Sequence, residues 1–151
     1  MSEAAVIGGG LAGCEAAWAL ANAGHQVTLY EMKPEKYSPA HKNPGLAELV
    51  CSNSFKSTRP ISAAGLLKEE MTLLGSLVLE AARESAVSAG GALAVDRDLF
   101  SAAVTRRILS HPRIKTVMGQ EITRIPERNA VIATGPLTSP AMSDAVGELC
   151  G

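Results

Sequence analysis

No apolar run in this 151-residue sequence reaches the roughly 20 residues that a bilayer-spanning helix needs. The N-terminus also lacks a basic segment ahead of an apolar one, so we expect no signal peptide. Neither sign of charge is in excess, because 14 Lys and Arg stand against 15 Asp and Glu, and this balance gives no overall attraction to nucleic acid or to a membrane. Together these absences favour a soluble globular protein with no membrane partner.

Cysteine is scarce. The three residues, Cys14, Cys51 and Cys150, are odd in number and do not have the spacing of metal ligands. This favours a reducing cytoplasm over a disulfide scaffold, and we expect no metal site. Internal repeats and low-complexity tracts are also absent, and the length is that of one domain, so we expect residues 1–151 to form a single α/β unit. No pattern indicates an oligomeric state.

Residues 4–31 carry the clearest pattern in the chain. They open with a short apolar run, which is typical of a strand buried on both faces of a parallel sheet. Gly8, Gly10 and Gly13 follow with G-x-G-x-x-G spacing and lead into a helical pattern. A second apolar run ends in Glu31, which lies 18 residues after Gly13. This strand–helix–strand arrangement predicts a dinucleotide site; the alternative is a Rossmann-like turn that binds nothing.

Each part of this stretch suits a nucleotide. Gly8 permits the tight turn, Gly10 has no side chain to keep a pyrophosphate from the backbone, and Gly13 lets the helix approach the strand. The helix N-terminus offers free N–H groups to phosphates, and an acidic residue at this distance accepts hydrogen bonds from a ribose. The cofactor contacts expected here are Gly8, Gly9, Gly10, Leu11, Ala12, Gly13, Glu31, Met32 and Lys33.

The segment 32–62 is non-periodic and contains four prolines, so we expect a long loop, with a short helical turn over 46–50. The loop carries a cluster of small polar side chains around a thiol, at 51–54. Residues 63–89 are expected to form one long helix that ends at Gly90-Gly91, with an apolar stripe. The residues of the expected stripe are Leu67, Met71, Leu74 and Val78.

Strand and helix patterns alternate in the last 60 residues. We expect a short strand over 92–95, then a helix capped by Asp96 that ends near Ser110, and strands over 114–118 and 121–125. The expected buried face of that helix is Phe100, Ala103, Val104 and Ile108. A last strand, starting at Ala130, stops at a Thr-Gly-Pro turn. It is expected to bring Ala133, Thr134 and Gly135 to a ligand at the carboxyl edge of the sheet, and a helix is expected over 141–149.

These motifs together resemble the Rossmann-like FAD-binding domain of two-dinucleotide-motif flavoproteins. Longer segments are similar to the folate-dependent, flavin-containing tRNA (uracil-5-)-methyltransferases, and the glucose-inhibited division protein A group is a near relative of that family. The matching segments are 39–41 (Pro-Ala-His), 47–55 (Ala-Glu-Leu-Val-Cys-Ser-Asn-Ser-Phe), 65–71 (Gly-Leu-Leu-Lys-Glu-Glu-Met), 90–97 (Gly-Gly-Ala-Leu-Ala-Val-Asp-Arg) and 131–139 (Val-Ile-Ala-Thr-Gly-Pro-Leu-Thr-Ser).

The resemblance implies a reaction. FAD, reduced by NAD(P)H, takes a one-carbon unit from 5,10-methylenetetrahydrofolate, and the unit passes to C5 of a T-loop uridine in tRNA, giving ribothymidine. It implies that Cys51 is the family's N-terminal functional cysteine and that Asn53 contacts the cofactor. A thiolate at Cys51 can add to C6 of uracil and activate C5, or cap a reactive flavin–methylene adduct. Since the chain is about a third of the family's length, it is expected to be a truncated FAD-binding portion, inactive alone, with the cysteine segment in loop 32–62.

Other readings of the residues remain open at this point. The chain could belong to another tRNA-modifying flavoprotein of the division protein A type, to a generic FAD or NAD oxidoreductase without an RNA substrate, or to a stand-alone nucleotide-binding module. The alternative for Cys51 is a small packing residue, as we expect Cys14 to be, since buried cysteines behave as small hydrophobes. His41 is either part of the site or an exposed loop histidine.

Overall fold

The computed structural model describes residues 2–127 and 129–151. Its strands are β1 (Glu3–Ile7), β2 (Gln26–Glu31), β3 (Ser54–Ser57), β4 (Ala86–Val87), β5 (Ala92–Val95), β6 (Ile114–Met118) and β7 (Ala130–Ile132). Its helices are α1 (Leu11–Asn22), α2 (Ala63–Leu73), α3 (Leu77–Glu84), α4 (Arg97–Ser110) and α5 (Pro140–Cys150). No helix among the described residues is both long and apolar enough to cross a membrane.

Four strands form a parallel sheet in the order β6-β2-β1-β7. β1 lies in the interior, where Val6 is fully buried, and this explains its uninterrupted apolar sequence. The chain leaves β1 toward β2 on one side and returns to β7 on the other. The carboxyl end of β1 is therefore a point where strand order reverses, which is where open α/β sheets bind ligands.

Helix α1 packs closely on this sheet because its buried positions are small. Gly13, Cys14, Ala17 and Ala21 are buried, at helical spacing. Cys14 is thus a packing residue, as expected, and its thiol also donates to the Gly9 carbonyl at 3.4 Å. The short side chains hold the N-terminus of α1 against the end of β1.

The long helix expected over 63–89 is wrong. α2 ends at Leu73, Gly75 adopts a left-handed backbone with φ of 73°, and α3 begins after Ser76. The expected stripe is only partly buried, since Leu67 is 55% and Leu74 is 86% exposed, whereas Val78 is buried and Met71 packs against the core. The break is stabilised from a distant element: Glu15 on α1 accepts hydrogen bonds from the Leu77 and Val78 amides and from the Ser76 hydroxyl, which caps the start of α3.

Three smaller expectations also need correction. The segment 32–62 contains β3, which joins a second, antiparallel sheet of order β3-β5-β4. Residues 46–50 form no helical turn, because Ala47 has a φ of 51° and donates its amide to the Gly9 carbonyl at 2.8 Å. Residues 121–125 form no strand.

Strand β4 was also not expected, since residues 86–87 fall within the long helix predicted over 63–89. The remaining elements are as expected. β5, β6 and β7 lie within the predicted runs, and α5 covers the predicted C-terminal helix. Asp96 caps α4 by accepting from the Asp98 and Leu99 amides, both at 3.0 Å. The expected buried face of α4, Phe100, Ala103, Val104 and Ile108, is buried.

Candidate functional site

A cleft lies at the carboxyl edge of the parallel sheet, above the start of α1. Its walls are formed by four segments that are far apart in sequence: 7–12, 30–33, 120–122 and 133–139. Ser38, His41, Glu48, Val50 and Met142 complete its lining. The cleft thus brings together most of the residues that the sequence singled out.

The glycines of the motif differ in their surroundings, and Gly8 and Gly10 line the cleft whereas Gly13 lies outside its lining. Gly8 has a φ of 103°, and a Cβ there would lie 2.5 Å from the Ala133 carbonyl oxygen. A Cβ on Gly13 would overlap the Gly8 carbonyl oxygen. Gly10 differs, since its φ is −74° and a Cβ would have no atom within 4 Å. Neither backbone strain nor packing requires glycine at position 10, so the open space beside it is suited to a ligand.

Gly10 is also the N-cap residue of α1, and no side chain of the described residues caps this helix. The first amides of an α-helix have no intrahelical acceptor. Leu11 and Ala12, whose amides are among them, line the cleft. With the helix dipole, these donors favour an anion such as a pyrophosphate.

Glu31 stands at the end of β2 and is only 7% exposed. One carboxylate oxygen, Oε2, accepts from the Gly9 amide at 2.8 Å, and the other, Oε1, accepts from the Lys33 amide at 3.0 Å. Each carboxylate oxygen retains a second acceptor position. Glu31 can therefore brace the glycine loop and still accept a hydrogen bond from a ribose hydroxyl in the cleft.

Met32 and Lys33 line the cleft with Glu31, but the Lys33 side chain is already engaged. Its ammonium donates to the Asn43 carbonyl at 2.9 Å and to the Gly45 carbonyl at 2.6 Å, and it is 3.7 Å from Glu48 Oε2. These contacts fasten the segment that leads toward Cys51.

Ala133, Thr134 and Gly135 form the opposite wall, as expected. The Ala133 amide extends the pairing with β1 by donating to the Ile7 carbonyl at 2.8 Å. Thr138 Oγ1 donates to the Gly135 carbonyl at 2.7 Å and lies 2.6 Å from Thr134 Oγ1. The two hydroxyls close the turn after β7 and fix this wall.

Cys51 and Asn53 lie outside the lining of the cleft. Cys51 is exposed, one residue beyond Val50, which does line it. The Asn53 side-chain amide donates to the Val95 carbonyl at 3.0 Å, and the Val95 amide donates to the Asn53 carbonyl at 2.9 Å. Asn53 thus anchors the cysteine segment to β5. Its contact with a cofactor stays a prediction, as does the catalytic role of Cys51.

Two parts of the cleft were not predicted from the sequence. Residues 120–122 reach it because the Gln120 amide donates to the Glu31 carbonyl at 3.0 Å, which continues the β6–β2 pairing. Lys36 and Glu121 secure this wall through an ion pair at 2.7 Å. This wall could have been predicted from the parallel pairing of β2 and β6, because residues that follow two neighbouring parallel strands meet at the same edge of the sheet. The other missed part, 136–139 with Met142, follows the Thr-Gly-Pro turn and leads into α5. The sequence predicts that turn and a helix after it, but not that they fold over the cleft.

Three ionisable groups in or beside the cleft are perturbed. Hydrogen bonds from the Lys36 and Ser139 side chains hold the pKa of Glu121 below its ordinary value. Burial, with the nearby charge of Glu31, raises the pKa of the Cys14 thiol to about 12. Burial also pushes the pKa of Glu48 upward, but hydrogen bonds from the Lys42 and Asn43 amides and the charges of Lys33 and His41 hold it below its ordinary value. Among the described residues, no group of His, Cys, Asp or Glu side chains is arranged to hold a metal ion.

Comparison with known proteins places this chain among close relatives. A family model described as glucose inhibited division protein A matches residues 3–144. The methylenetetrahydrofolate--tRNA-(uracil-5-)-methyltransferase TrmFO of Aquifex aeolicus is 59% identical over 147 residues, covering 97% of this chain and 33% of the relative. The protein of the same name from Bacillus subtilis is 56% identical, again covering 97% and 33%. The chain thus spans about a third of the length of these relatives.

A solved structure, titled as the crystal structure of MHPCO, Y270F mutant, shares the fold. It aligns with a TM-score of 0.50 over 82% of this chain and 33% of its own, at 16% sequence identity. This agrees with the Rossmann-like α/β fold class expected from the sequence, which the family match also supports.

Proposed function

The chain belongs to the glucose inhibited division protein A family, and from that premise we propose that it is the FAD-binding portion of a folate-dependent tRNA (uracil-5-)-methyltransferase. The support is the name shared by relatives that are more than half identical to it. Since the chain spans a third of those relatives, the complete reaction is proposed for the full-length protein only.

The observation that carries the proposal is the open space beside Gly10. A Cβ at this residue meets nothing within 4 Å, whereas Gly8 and Gly13 are hemmed in by backbone atoms. The first-turn amides of α1 face the same space, and Glu31 stands beside it. These residues fit a dinucleotide, with the pyrophosphate on the helix N-terminus and a ribose near the carboxylate.

Each remaining wall has a role in holding FAD. We assign the adenosine half to the side formed by Glu31 and residues 120–122. Ala133, Thr134 and Gly135 lie across the floor from Glu31 and bound the path of the cofactor beyond the pyrophosphate. When bound, the flavin supplies the redox and one-carbon chemistry, which no amino-acid side chain provides.

Cys51 is proposed as the residue that acts on the RNA. It is exposed, and it follows a cleft-lining residue directly, so a uridine base can reach it without entering the dinucleotide site. A thiolate that adds to C6 of uracil raises the nucleophilicity of C5, where the one-carbon unit is accepted. NAD(P)H as reductant, 5,10-methylenetetrahydrofolate as donor and a cytoplasmic location belong to the same proposal.

A second candidate is another tRNA-modifying flavoprotein, and the description of the matching family model favours it. Both candidates need FAD and tRNA, so cofactor binding does not separate them. The product does. Incubating unmodified tRNA with the full-length gene product and digesting it to nucleosides should yield ribothymidine; a different modified uridine would favour the second candidate.

The experiment that tests the cofactor uses this chain itself. We expect the purified protein to absorb in the visible region and to release FAD on denaturation, identified by chromatography. A matched pair of variants sharpens the result. Gly10→Val should lose FAD, whereas Gly147→Val, whose Cβ also meets nothing within 4 Å and which does not line the cleft, should keep it. A colourless protein that instead binds NAD in titration would contradict the assignment.

A further inference from the structure

The Lys33 side chain is buried, with the residue only 4% exposed, and its charge is satisfied by one short segment of the chain. The ammonium donates to the carbonyls of Asn43 and Gly45 and faces the Glu48 carboxylate. A buried ammonium is costly unless it is paired and hydrogen-bonded. The ammonium therefore needs the segment 43–48 in this position, and the segment is held there by the ammonium.

Lys33 is itself held firmly by its backbone. Its amide donates to Glu31 Oε1 at 3.0 Å, and its carbonyl accepts from the Gly119 amide at 2.8 Å. The base of the side chain is thus fixed between the end of β2 and the residues after β6. The Lys33 side chain is thus held at both ends, and it links the end of β2 to the segment 43–48.

The segment 43–48 makes further contacts, several of them to backbone or neutral groups and one, from the Asn43 side-chain amide, to the Asp98 carboxylate at 3.5 Å. The backbone of Leu46 is held at both of its polar groups. Its amide donates to Thr105 Oγ1 at 2.9 Å, and its carbonyl accepts from Ser101 Oγ at 2.6 Å. The Ala47 amide donates to the Gly9 carbonyl at 2.8 Å from a left-handed backbone. Strained conformations of this kind persist only where the surroundings over-determine them.

We propose that Lys33 is a positioning residue that fixes the segment 43–48, and with it the Cys51 loop, relative to the glycine motif. The relevance to catalysis rests on the role proposed above for Cys51. Cys51 lies three residues beyond Glu48, the last group that Lys33 contacts. The ammonium of Lys33 acts inside the protein and is not a cofactor ligand.

Hydrogen–deuterium exchange tests the proposal without FAD or tRNA. In this chain, Lys33→Met should raise exchange of peptides covering 43–50 at least tenfold, while peptides from α1 keep their wild-type rates. Lys33→Arg, which retains the donors, should restore slow exchange. Lys36→Met removes a nearby ammonium that pairs with Glu121 instead and is the matched control, with exchange over 43–50 unchanged.

The cofactor readout separates positioning from ligation. In the same chain, any loss of FAD affinity in Lys33→Met should accompany faster exchange over 43–50 and be reversed together with it in Lys33→Arg. In the full-length protein Lys33→Met should lower kcat for uridine methylation at least tenfold at unchanged FAD content, with Arg restoring it. Unchanged exchange over 43–50 would overturn the proposal, as would a tenfold loss of FAD affinity with normal exchange.

A second variant covers the case in which Lys33→Met does not fold. Glu48→Gln removes the partner carboxylate from the partly exposed end of the network and should speed exchange over 43–50 about threefold, with α1 unaffected. Wild-type exchange in Glu48→Gln, beside an unfolded Lys33→Met, would overturn the proposal. If the chain binds no FAD at all, the proposed function fails, and the exchange experiments still decide the role of Lys33.

Discussion

The Gly9 amide donates to Glu31 Oε2 at 2.8 Å, so the acidic residue at the end of β2 holds the glycine loop at the end of β1. The carboxylate also packs tightly against Gly9, since a Cβ on Gly9 would lie 2.7 Å from the same oxygen. The carboxylate that is expected to recognise a ribose thus also shapes the loop that is expected to receive the pyrophosphate. One side chain couples two halves of the proposed nucleotide site.

Glu31→Gln tests this coupling. A glutamine can accept from one of the two amides that Glu31 serves, but its NH₂ group then faces the other. A buried donor without a partner costs about 1–3 kcal/mol, so we expect unfolding in urea at lower denaturant concentration and FAD binding at least tenfold weaker. Wild-type values for both would show that the carboxylate neither braces the loop nor contacts the ribose.

Two glycine variants should separate ligand contact from folding. Gly13→Ala places a methyl group against the Gly8 carbonyl oxygen, and such overpacking costs about 1–3 kcal/mol or more. Gly10→Ala meets no protein atom. We therefore expect thermal melting by circular dichroism to fall for Gly13→Ala only, and FAD affinity to fall for Gly10→Ala. If both variants melt early, the distinction between the two glycines is wrong.

The sequence was informative where one local pattern determines the structure. The apolar run before Gly8, the glycine spacing and the position of Glu31 predict β1, α1 and β2, because a buried parallel strand and a tight turn each need particular residues. Asp96 predicts the start of α4 for the same reason, since its side chain caps the next amides.

The errors arose where distant residues decide the structure. The chain breaks between α2 and α3 because Glu15, some sixty residues earlier, binds the start of α3, and no pattern within 63–89 shows this. The partners of the Lys33 ammonium are likewise set by the fold of the loop and not by a local pattern, and contact of this residue with a cofactor stays a prediction. Tertiary contacts override helical propensity between α2 and α3. Around Lys33 they supply the acceptors that a buried ammonium needs.

The three thiols should react at two very different rates. Cys51 and Cys150 are exposed, whereas Cys14 is buried and has its pKa raised to about 12. At pH 8 only about one Cys14 in ten thousand is then a thiolate, the form that reacts. We expect Ellman's reagent to titrate two thiols rapidly in the native chain and the third only on unfolding. Three fast thiols without denaturant would contradict the packing of α1.

Glu48 should contribute to the acid sensitivity of the chain. Its pKa is depressed in the folded state, so its contribution to stability is present above the ordinary pKa of a glutamate and is lost as pH falls through the depressed value. Below that ordinary pKa, of about 4.3, the unfolding midpoint in urea should therefore decline. Glu48→Gln should show a shallower decline than wild type, and identical slopes would count against the Lys33–Glu48 network.

Cys51→Ala in the full-length protein tests the proposed nucleophile. Because Cys51 is exposed and does not line the cleft, the variant should fold and retain FAD in stoichiometric amount. Methyl transfer to tRNA should fall below detection, since no other group in this segment supplies a thiolate for C6 of uracil. Cys150→Ala is the matched control, an exposed cysteine on α5 whose loss should leave turnover unchanged. Turnover that survives in Cys51→Ala would make Cys51 a structural residue and leave the cleft as a cofactor site only.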